Sequence, residues 1–579
     1  MRFGIFYEHQ LPRPWAPGDE HRLLADALDQ IELADRIGID YAWEVEHHFL
    51  EEYSHSSAPE VFLGAASQRT RRIRLGHGIV QAPPAVNHPA RIAERIATLD
   101  LVSDGRAEFG TGEASSASEL GGFGVPRTQK RAMWEEALDV ITRMMTEEPF
   151  AGWDGQYGRM PPRNVIPKPL QKPHPPLWVA CSRRDTIHLA ARNGIGALSF
   201  SFVEPEDARH WVTEYYDLIS SEECVPRGFS VNPNVAVVVP MMVHPDEATA
   251  IERGIDGAHF FGYSLAHFYA ATHVVGAADV WRDFTEHRDE HGFARDIVKA
   301  GKAPLSVRLL QAGMGSLRGA IGTPAQVTDL LRRYQQAGVD QVIFVMQSGR
   351  NRHEHICESL ELFSREVMPY FTEGREEQEA AKAVRLAGAV EKALGRRADR
   401  RRLPAPYPVN EDAELAGAGR RARAPLRALA GQAGRAMRES AGDRAMLRVQ
   451  NLVRNASDEQ LERFFGSQSV QRATFGAIAR RFRPVNARGF GGAIVYDLGT
   501  SDGSRHRWTI RIRGDRAAVR PGGDDGADVV IRVPLANFIR IIANAEYYYP
   551  LILDGRMTIE GDLQLAYRLA EIFGGRSAY

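Results

Sequence analysis

The sequence contains little cysteine: Cys181, Cys224 and Cys357 are the three in 579 residues, and they lie far apart. This spacing excludes a disulfide framework and a paired-cysteine metal site, so we expect a protein of a reducing cytoplasm. No run of 18 uninterrupted apolar residues occurs, and Met1–Tyr7 is too short for a signal peptide, so no membrane span is expected. The formal net charge of -2 excludes a strongly basic nucleic-acid binder and an acidic disordered chain.

A glycine-rich G-x-G-x-x-G fingerprint is also missing after the first predicted strand. Its absence disfavours a doubly wound dinucleotide-binding sheet, which stays the alternative fold. Over residues 1–372, strand-length apolar runs alternate with helical patterns, which predicts an α/β fold, a (β/α)8 TIM barrel with insertions. The predicted strands are Arg2–Tyr7, Asp40–Val45, Ile73–Val80, Ala107–Gly112, Leu177–Ala180, Ala197–Phe200, Val235–Val243 and Gln341–Met346. Residues 252–320, between the last two strands, remain unassigned.

Two adjacent histidines follow the second predicted strand. The sequence continues from that strand as Glu46, His47, His48 and Phe49. In a barrel of this kind the carboxyl ends of the strands form the face that carries active sites. An imidazole there can donate or accept a proton near neutral pH. An isolated His-His pair is more often structural, so the neighbouring motifs decide between the two interpretations.

Several short motifs across residues 1–370 occur in the order found in one known family. They are Glu46–Phe49, His88–Glu94, Ala97–Gly112, Pro173–Trp178, Gly322–Pro324 and Glu358–Pro369. Each motif alone is weak, but together they are specific. The sequence resembles the bacterial luciferase-like flavin-dependent monooxygenases, and the resemblance favours a catalytic role for His47, with His48 bracing the loop or the reverse.

The resemblance implies a flavin in the barrel mouth, held by backbone at the strand ends. His77 and Gly78, with a non-proline cis peptide at or near this point, and Gly110 and Gly112 are the candidate positions, since glycine lets the backbone approach a flat ring. Simple turn glycines are the alternative. The family commonly has a basic residue after the fourth strand, near the flavin phosphate. Glu113 stands here instead and would repel a phosphate.

The phosphate is therefore expected at the start of the helix after the fifth strand. Free N–H groups there form an anion site, to which Ser182, Arg183 and Thr186 can add contacts. A solvated helix cap is the alternative. Cys181 has no evident base beside it, so we interpret it as a small residue touching the flavin and not as a nucleophile.

The implied reaction uses reduced FMN, supplied by a separate flavin reductase, together with dioxygen and a small organic, apolar substrate. Phe6 and Phe49 are candidate substrate contacts, and a homodimer through the barrel is expected. Two other functions stay open. The barrel could use a deazaflavin coenzyme for hydride transfer, which Glu113 permits. Alternatively, the barrel could be non-catalytic and the chain a lipid-binding protein.

The composition changes after the barrel. Residues 373–449 are rich in Ala, Arg, Glu and Gly and predict a partly helical linker. Their arginines are not interleaved with aromatic residues, so a solvated linker is favoured over a nucleic-acid site.

Residues 450–579 predict a smaller C-terminal α+β domain. Arg507–Arg513 alternates polar and apolar residues, as in a half-buried antiparallel strand. With the stretch Asp554–Leu563, this region resembles the sterol carrier protein type 2 domain, which implies an apolar tunnel for a lipid. Phe538, Ile542 and Leu551 are candidate tunnel residues, and a plain core is an equal alternative.

Overall fold

The computed structural model describes most of the chain as two compact units. The first unit contains the described residues up to 409, and the second those from 453 onwards. The described residues are 1–181, 184–199, 204–270, 275–276, 279–288, 318–409, 453, 456–487, 490–543, 551–552, 555–562, 565, 569 and 572–573. Ser182 and Arg183 of the predicted phosphate site lie outside them.

Eight parallel strands form a closed barrel, which confirms the predicted fold. They are β1 (Arg2–Tyr7), β2 (Tyr41–Glu44), β3 (Arg74–His77), β4 (Ala107–Gly112), β5 (Leu177–Cys181), β6 (Gly196–Ser199), β7 (Val235–Val243) and β8 (Gln341–Gln347). Each strand pairs with the next, and β8 closes the barrel on β1. The strand β3 is shorter than predicted: it ends at His77, and Val80–Gln81 pairs separately with β4.

Helices follow the strands along the chain. Those of the first unit are Asp19–Ile37, Pro59–Arg69, Pro89–Val102, Ala117–Gly122, Lys130–Thr146, Arg184–Arg192, Pro205–Ile219, Glu247–Ala270, Val280–His287, Pro324–Gln336, His353–Glu366, Pro369–Thr372 and Arg375–Gly395. Short strands Trp153–Asp154 and Arg159–Met160 form a hairpin, and Ala320–Gly322 pairs with β7. The first helix ends at Gly38 with φ 97°, as the glycine predicts. No helix among the described residues is long and apolar enough to cross a membrane.

Side chains of successive strand residues alternate between the helix layer and the barrel interior. Phe3 of β1 points to the helices, where its ring lies 5.0 Å from that of Phe363. Phe6, Trp43 and Trp178 are fully buried. The rings of Trp43 and Trp178 meet edge to face at 5.4 Å. The barrel interior is therefore filled by aromatic rings, with its carboxyl-terminal end left to form a site.

The insertion between β7 and β8 reaches over that end. The helix Glu247–Ala270 is 24 residues long, and it begins before residues 252–320, the segment that the sequence leaves unassigned, and continues into that segment. Near its carboxyl end, Ser264 accepts a hydrogen bond from the side chain of Gln10, which follows β1, at 3.1 Å. The insertion therefore contributes to the barrel mouth.

The helix Arg375–Gly395 lies in the segment interpreted as a linker, and it packs on the amino-terminal end of the barrel. Glu379 accepts two hydrogen bonds from Arg2 at 2.6 and 2.7 Å. Lys382 donates to Asp340, just before β8, at 2.6 Å. Arg375 pairs with Asp40, which precedes β2, at 3.1 Å. This helix therefore joins the starts of three neighbouring strands.

A chain ending at Thr372 will be less stable than one ending at Val409. Removal of the helix leaves Asp40, whose side chain is 8% exposed, with fewer cationic partners. Each partly exposed pair contributes up to about 1 kcal/mol, so we expect the melting temperature to fall by roughly 2–8 °C. Differential scanning fluorimetry of the two truncated chains measures this, and equal melting temperatures would show that the helix does not support the barrel.

The second unit is a smaller domain built on a five-stranded sheet. Its strands are β9 (Gly492–Gly499), β10 (Arg505–Arg513), β11 (Arg516–Pro521), β12 (Val529–Pro534) and β13 (Thr558–Gly561), in the order β11-β10-β9-β12-β13. The helices are Asp458–Phe465, Gln468–Arg480, Pro484–Ala487 and Leu535–Ile542. As the alternation in β10 predicts, Trp508, Ile510 and Ile512 face the core. Trp508 donates its indole N–H to Gln471 at 2.7 Å.

Candidate active site

The imidazole of His47 lies in a nest of polar groups at the carboxyl end of the barrel. His47 follows β2, and its side chain is 15% exposed. Nδ1 lies 2.9 Å from a carboxylate oxygen of Glu119, on the short helix after β4. Glu119 is fully buried and also accepts hydrogen bonds from Ser116, Gln81 and the backbone N–H of His48. So many donors fix the carboxylate, and the carboxylate fixes the histidine ring.

A second carboxyl group lies on the other side of the same ring. Oε2 of Glu8, the residue after β1, lies 3.6 Å from Nε2 of His47. The hydroxyl of Tyr53 donates to Oε1 of Glu8 at 2.9 Å. Tyr269, from the insertion helix, brings its hydroxyl to 3.2 Å from Nε2 of His47. The ring and its partners therefore come from the end of β1, the short helix after β4, a loop and the insertion.

The electrostatics of this nest hold a proton on His47. Burial disfavours the charged imidazole, but the negative charges of Glu119 and Glu8 outweigh it and raise the pKa of His47 to about 9. Burial also disfavours the Glu119 carboxylate, but the His47 charge and hydrogen bonds prevail and lower its pKa to about 2. At neutral pH the pair is therefore an imidazolium and a carboxylate, able to deliver a proton.

His48 points away from this nest. Its Nε2 lies 3.2 Å from Glu46, which in turn accepts from Asn87 and the backbone of Gln81. The ring packs edge to face on Phe123 at 4.9 Å. Phe49 is 57% exposed and packs on the same Phe123 ring at 5.2 Å. Of the two predicted histidines, the structure places His47 among the polar groups at the mouth and His48 beside Glu46 and Phe123.

The glycines at the strand ends differ in whether the surrounding atoms leave space for a side chain. A Cβ at Gly110 would lie 1.8 Å from the carbonyl oxygen of His77, and one at Gly112 would lie 2.5 Å from Ile79. Strand packing therefore accounts for both. A Cβ at Gly78 would meet its nearest neighbour, the ring of Phe6, at an ordinary 3.4 Å. The protein itself would therefore accept a methyl group at Gly78, although this residue is buried.

The side chain of His77 does not face the barrel mouth. It is buried beside Glu60, Ile92 and Arg95 of the two helices outside β3, around a small cavity. Burial lowers the pKa of His77 to about 4, so the ring is neutral. The peptide bond to Gly78 is trans, contrary to the cis bond that the resemblance implies. A ligand in the mouth would therefore contact the backbone of His77 and not its side chain.

The predicted phosphate site is described only in part. Cys181 is fully buried among the apolar residues between sheet and helices, and its thiol donates to the carbonyl of Thr186 at 3.3 Å. Burial raises the pKa of this thiol to about 12, so it is inert. Thr186 is also buried.

The repulsion expected from Glu113 is offset by basic partners. Arg131 donates to Glu113 at 2.8 Å, and Lys130 lies 3.8 Å from it. The charge of Arg131 also favours the thiolate of Cys181, against the larger effect of burial on the pKa of this thiol. Arg131 and Lys130 therefore offset the charge of Glu113.

Comparison with known proteins identifies the barrel. Residues 1–341 match the model of the family described as luciferase-like monooxygenase. The chain belongs to this family. Its relatives include the oxygenase component of a flavin-dependent trigonelline monooxygenase from Acinetobacter baylyi, 24% identical over 65% of this chain and 97% of the relative. Limonene 1,2-monooxygenase from Rhodococcus erythropolis is 32% identical over 36% of this chain and 53% of the relative.

A solved structure supports the same architecture. The monooxygenase RslO1 from Streptomyces bottropensis superposes with a TM-score of 0.51 and 25% identity, covering 64% of this chain and all of that one. The chain spans 48% to 62% of the length of several curated relatives that it matches. The luciferase-like barrel is thus shared with these proteins.

The second unit matches the SCP-2 sterol transfer family over residues 483–574. The described candidate tunnel residues belong to its core cluster. Phe538 stacks on Phe475 at 5.2 Å, Leu551 is fully buried, and Ile542 packs at the margin. Their positions agree with both interpretations, a tunnel wall and a plain core.

Sequence reasoning missed Glu8, Glu119 and Tyr269 as site residues. Glu8 shows in the sequence as a charge that interrupts an apolar run. Ser116 and Glu119 have the spacing of a helix capping box, which hides a second use of the carboxylate. Tyr269 comes from the unassigned insertion and carries no local signal.

Proposed function

We propose that the chain is a flavin-dependent monooxygenase that uses reduced FMN and dioxygen on a small apolar organic substrate. The observation that carries the proposal is the charged His47, held between Glu119 and Glu8 at the mouth of a barrel of the luciferase-like family. Trigonelline monooxygenase is named as an oxygenase component, which supports a separate flavin reductase as partner. The monoterpene in the name of limonene monooxygenase supports an apolar substrate.

The residues at the mouth suit a flavin. Gly78, just after β3, is the candidate backbone contact for the flavin ring, and the insertion brings Tyr269 to the same mouth. Bound reduced flavin would supply the electrons with which dioxygen is activated. The protein would orient the ring, exclude water and hold a proton on Nε2 of His47, next to the reacting atoms. A homodimer through the barrel stays a prediction.

Incubation with reduced FMN, 18O-labelled dioxygen and a panel of monoterpenes, steroids and N-methylpyridinium compounds tests the proposal. We expect FMN-dependent oxygen consumption and 18O in one product class. Hydride transfer with a reduced deazaflavin, without oxygen consumption, would replace the monooxygenase function by the deazaflavin alternative. Neither reaction would favour a non-catalytic barrel.

We place the flavin phosphate beside Arg131, where the edges of β4 and β5 meet. Arg131→Gln should weaken binding of FMN but not of riboflavin, which has no phosphate. Because the Arg131 side chain is 39% exposed, the lost contact should amount to about 1 kcal/mol, or roughly fivefold in affinity. Fluorescence titration with both flavins measures this. An equal loss of affinity for FMN and riboflavin would mean that Arg131 acts through its ion pair with Glu113 and does not contact the phosphate.

We propose that the second unit assists by binding an apolar ligand. Phe538→Arg would place a charge in the cluster around Phe475 and Tyr496. In the full chain, a fluorescent fatty acid should bind saturably, and Phe538→Arg should weaken its binding roughly tenfold or more through loss of apolar burial. Phe464→Arg is the matched control, because Phe464 is 67% exposed. If the fluorescent fatty acid does not bind saturably to the unaltered chain, the second unit would have a structural role and no part in ligand binding.

A further inference from the structure

A buried carboxyl oxygen next to His47 accepts no hydrogen bond from any described residue. Glu8 is 3% exposed, and its Oε1 is occupied by the hydroxyl of Tyr53. Its Oε2 is without a hydrogen-bond partner, although it lies 3.6 Å from Nε2 of His47. A buried carboxylate oxygen in this state is costly, and protonation of Glu8 lowers that cost by removing the charge.

The other side of the imidazole determines which nitrogen exchanges its proton. Glu119 is ionised and holds Nδ1–H through a hydrogen bond of 2.9 Å. Nδ1 therefore keeps its proton when His47 is neutral. Nε2 is left as the nitrogen that releases and takes up a proton, and it is the nitrogen that faces Glu8 and Tyr269.

We propose that Glu8 returns a proton to His47 in each turnover, an inference that rests on the proposed function. His47 first gives its Nε2 proton to an oxygen atom that derives from dioxygen. The carboxyl group of Glu8 then donates the proton on Oε2 to the lone pair on Nε2. Glu8 becomes a carboxylate, which takes up one proton from solvent before the next turnover. One proton moves in each step, and no electrons are exchanged.

The groups around Glu8 suit this role. The hydroxyl of Tyr53 stays neutral, because burial raises its pKa well above the usual value. His9 is buried nearby, with Nε2 3.2 Å from Glu44. Burial raises the pKa of Glu8 itself to about 7, against the opposing charges of His47 and His9 and in the same direction as the charge of Glu119. Glu8 can therefore both hold and release a proton near neutral pH.

The pH profile of turnover tests the role. Only protonated Glu8 donates, so the rate should fall as the pH rises through about 7. Glu8→Gln keeps the hydrogen bond from Tyr53 but has no acidic proton to give. The rate of this variant should be lower on the order of tenfold or more, and it should no longer fall as the pH rises through about 7. Glu8→Asp should retain this fall. Glu44→Gln, a second buried carboxyl that does not touch His47, should also retain it. An unchanged profile in Glu8→Gln would overturn the proposal.

A second measurement does not need flavin. Nuclear magnetic resonance of the full chain with ring-labelled histidine follows the titration of His47, whose signal is identified by its loss in His47→Gln. Glu8→Gln should lower the pKa of His47, because one of the two carboxyl groups that raise it is gone. If the unaltered chain is active and the pKa of His47 does not shift in Glu8→Gln, proton return by Glu8 would be overturned. If the pKa of His47 shifts in Glu8→Gln but the unaltered chain consumes no oxygen, the proposed function would be contradicted. The electrostatic coupling between Glu8 and His47 would still stand.

Discussion

His47→Ala should lower turnover with reduced FMN and dioxygen by roughly a hundredfold or more, the size of a general acid–base contribution. The substitution removes the imidazole that carries the proton between Glu119 and Glu8. Flavin affinity should change little, because Gly78, the proposed backbone contact of the flavin ring, is untouched. Product formation at saturating reduced FMN, with affinity measured separately by fluorescence, separates the two effects.

The control for this variant is His48→Ala. His48 braces the loop through Glu46 and Phe123 and does not face the nest. It should lose far less activity than His47→Ala. Because removal of His47 leaves two buried carboxyl groups without their cation, folding is checked by circular dichroism, and His47→Gln serves as a milder version. Full activity in a folded His47→Ala would exclude His47 from the chemistry, and a larger loss in His48→Ala would move the role to His48.

Gly78→Ala should weaken FMN binding by about 1–3 kcal/mol, or roughly five- to 150-fold. The added methyl group meets Phe6 at 3.4 Å, an ordinary contact, so the free protein should keep its melting temperature. A flavin lying on this backbone would no longer fit. Equilibrium titration with FMN, alongside thermal unfolding without ligand, measures both quantities.

Two other glycines provide matched controls. Gly121→Ala adds a methyl group with nothing within 4 Å, so it should change neither FMN affinity nor stability. Gly110→Ala adds one at 1.8 Å from a backbone oxygen and should destabilise the barrel itself. If Gly78→Ala bound FMN as tightly as the unaltered chain, the flavin would have to lie elsewhere in the mouth.

Much of the barrel can be predicted from the sequence because its strands are apolar runs with clear ends. The bounds of β1, β4 and β7 agree with the prediction to the residue. The strand β3 was predicted too long, because the apolar run continues across Gly78 while the chain bends there. The insertion was left unassigned, although it contains the 24-residue helix Glu247–Ala270. Its pattern does not show that it crosses the mouth.

The site was predicted only in part, because residues far apart in the sequence come together in it when the barrel folds. His47 was found because two histidines follow a strand. Its partners are 72 and 222 positions away in sequence, at Glu119 and Tyr269. Local patterns place such residues on a helix or in a loop and do not show which ring they meet. The repulsion expected from Glu113 also needed the fold, because Arg131 is 18 positions further along the chain.

Anaerobic titration of the full chain with reduced FMN, followed by mixing with dioxygen in a stopped-flow spectrometer, tests the central claim most directly. The claim is that the barrel mouth binds reduced FMN beside His47 and controls its reaction with oxygen. We expect saturable binding at one flavin per chain and reoxidation kinetics that differ from those of free reduced FMN. In His47→Ala, binding should persist and the kinetics should change. Absence of binding, or reoxidation at the rate of free flavin in both proteins, would contradict the claim.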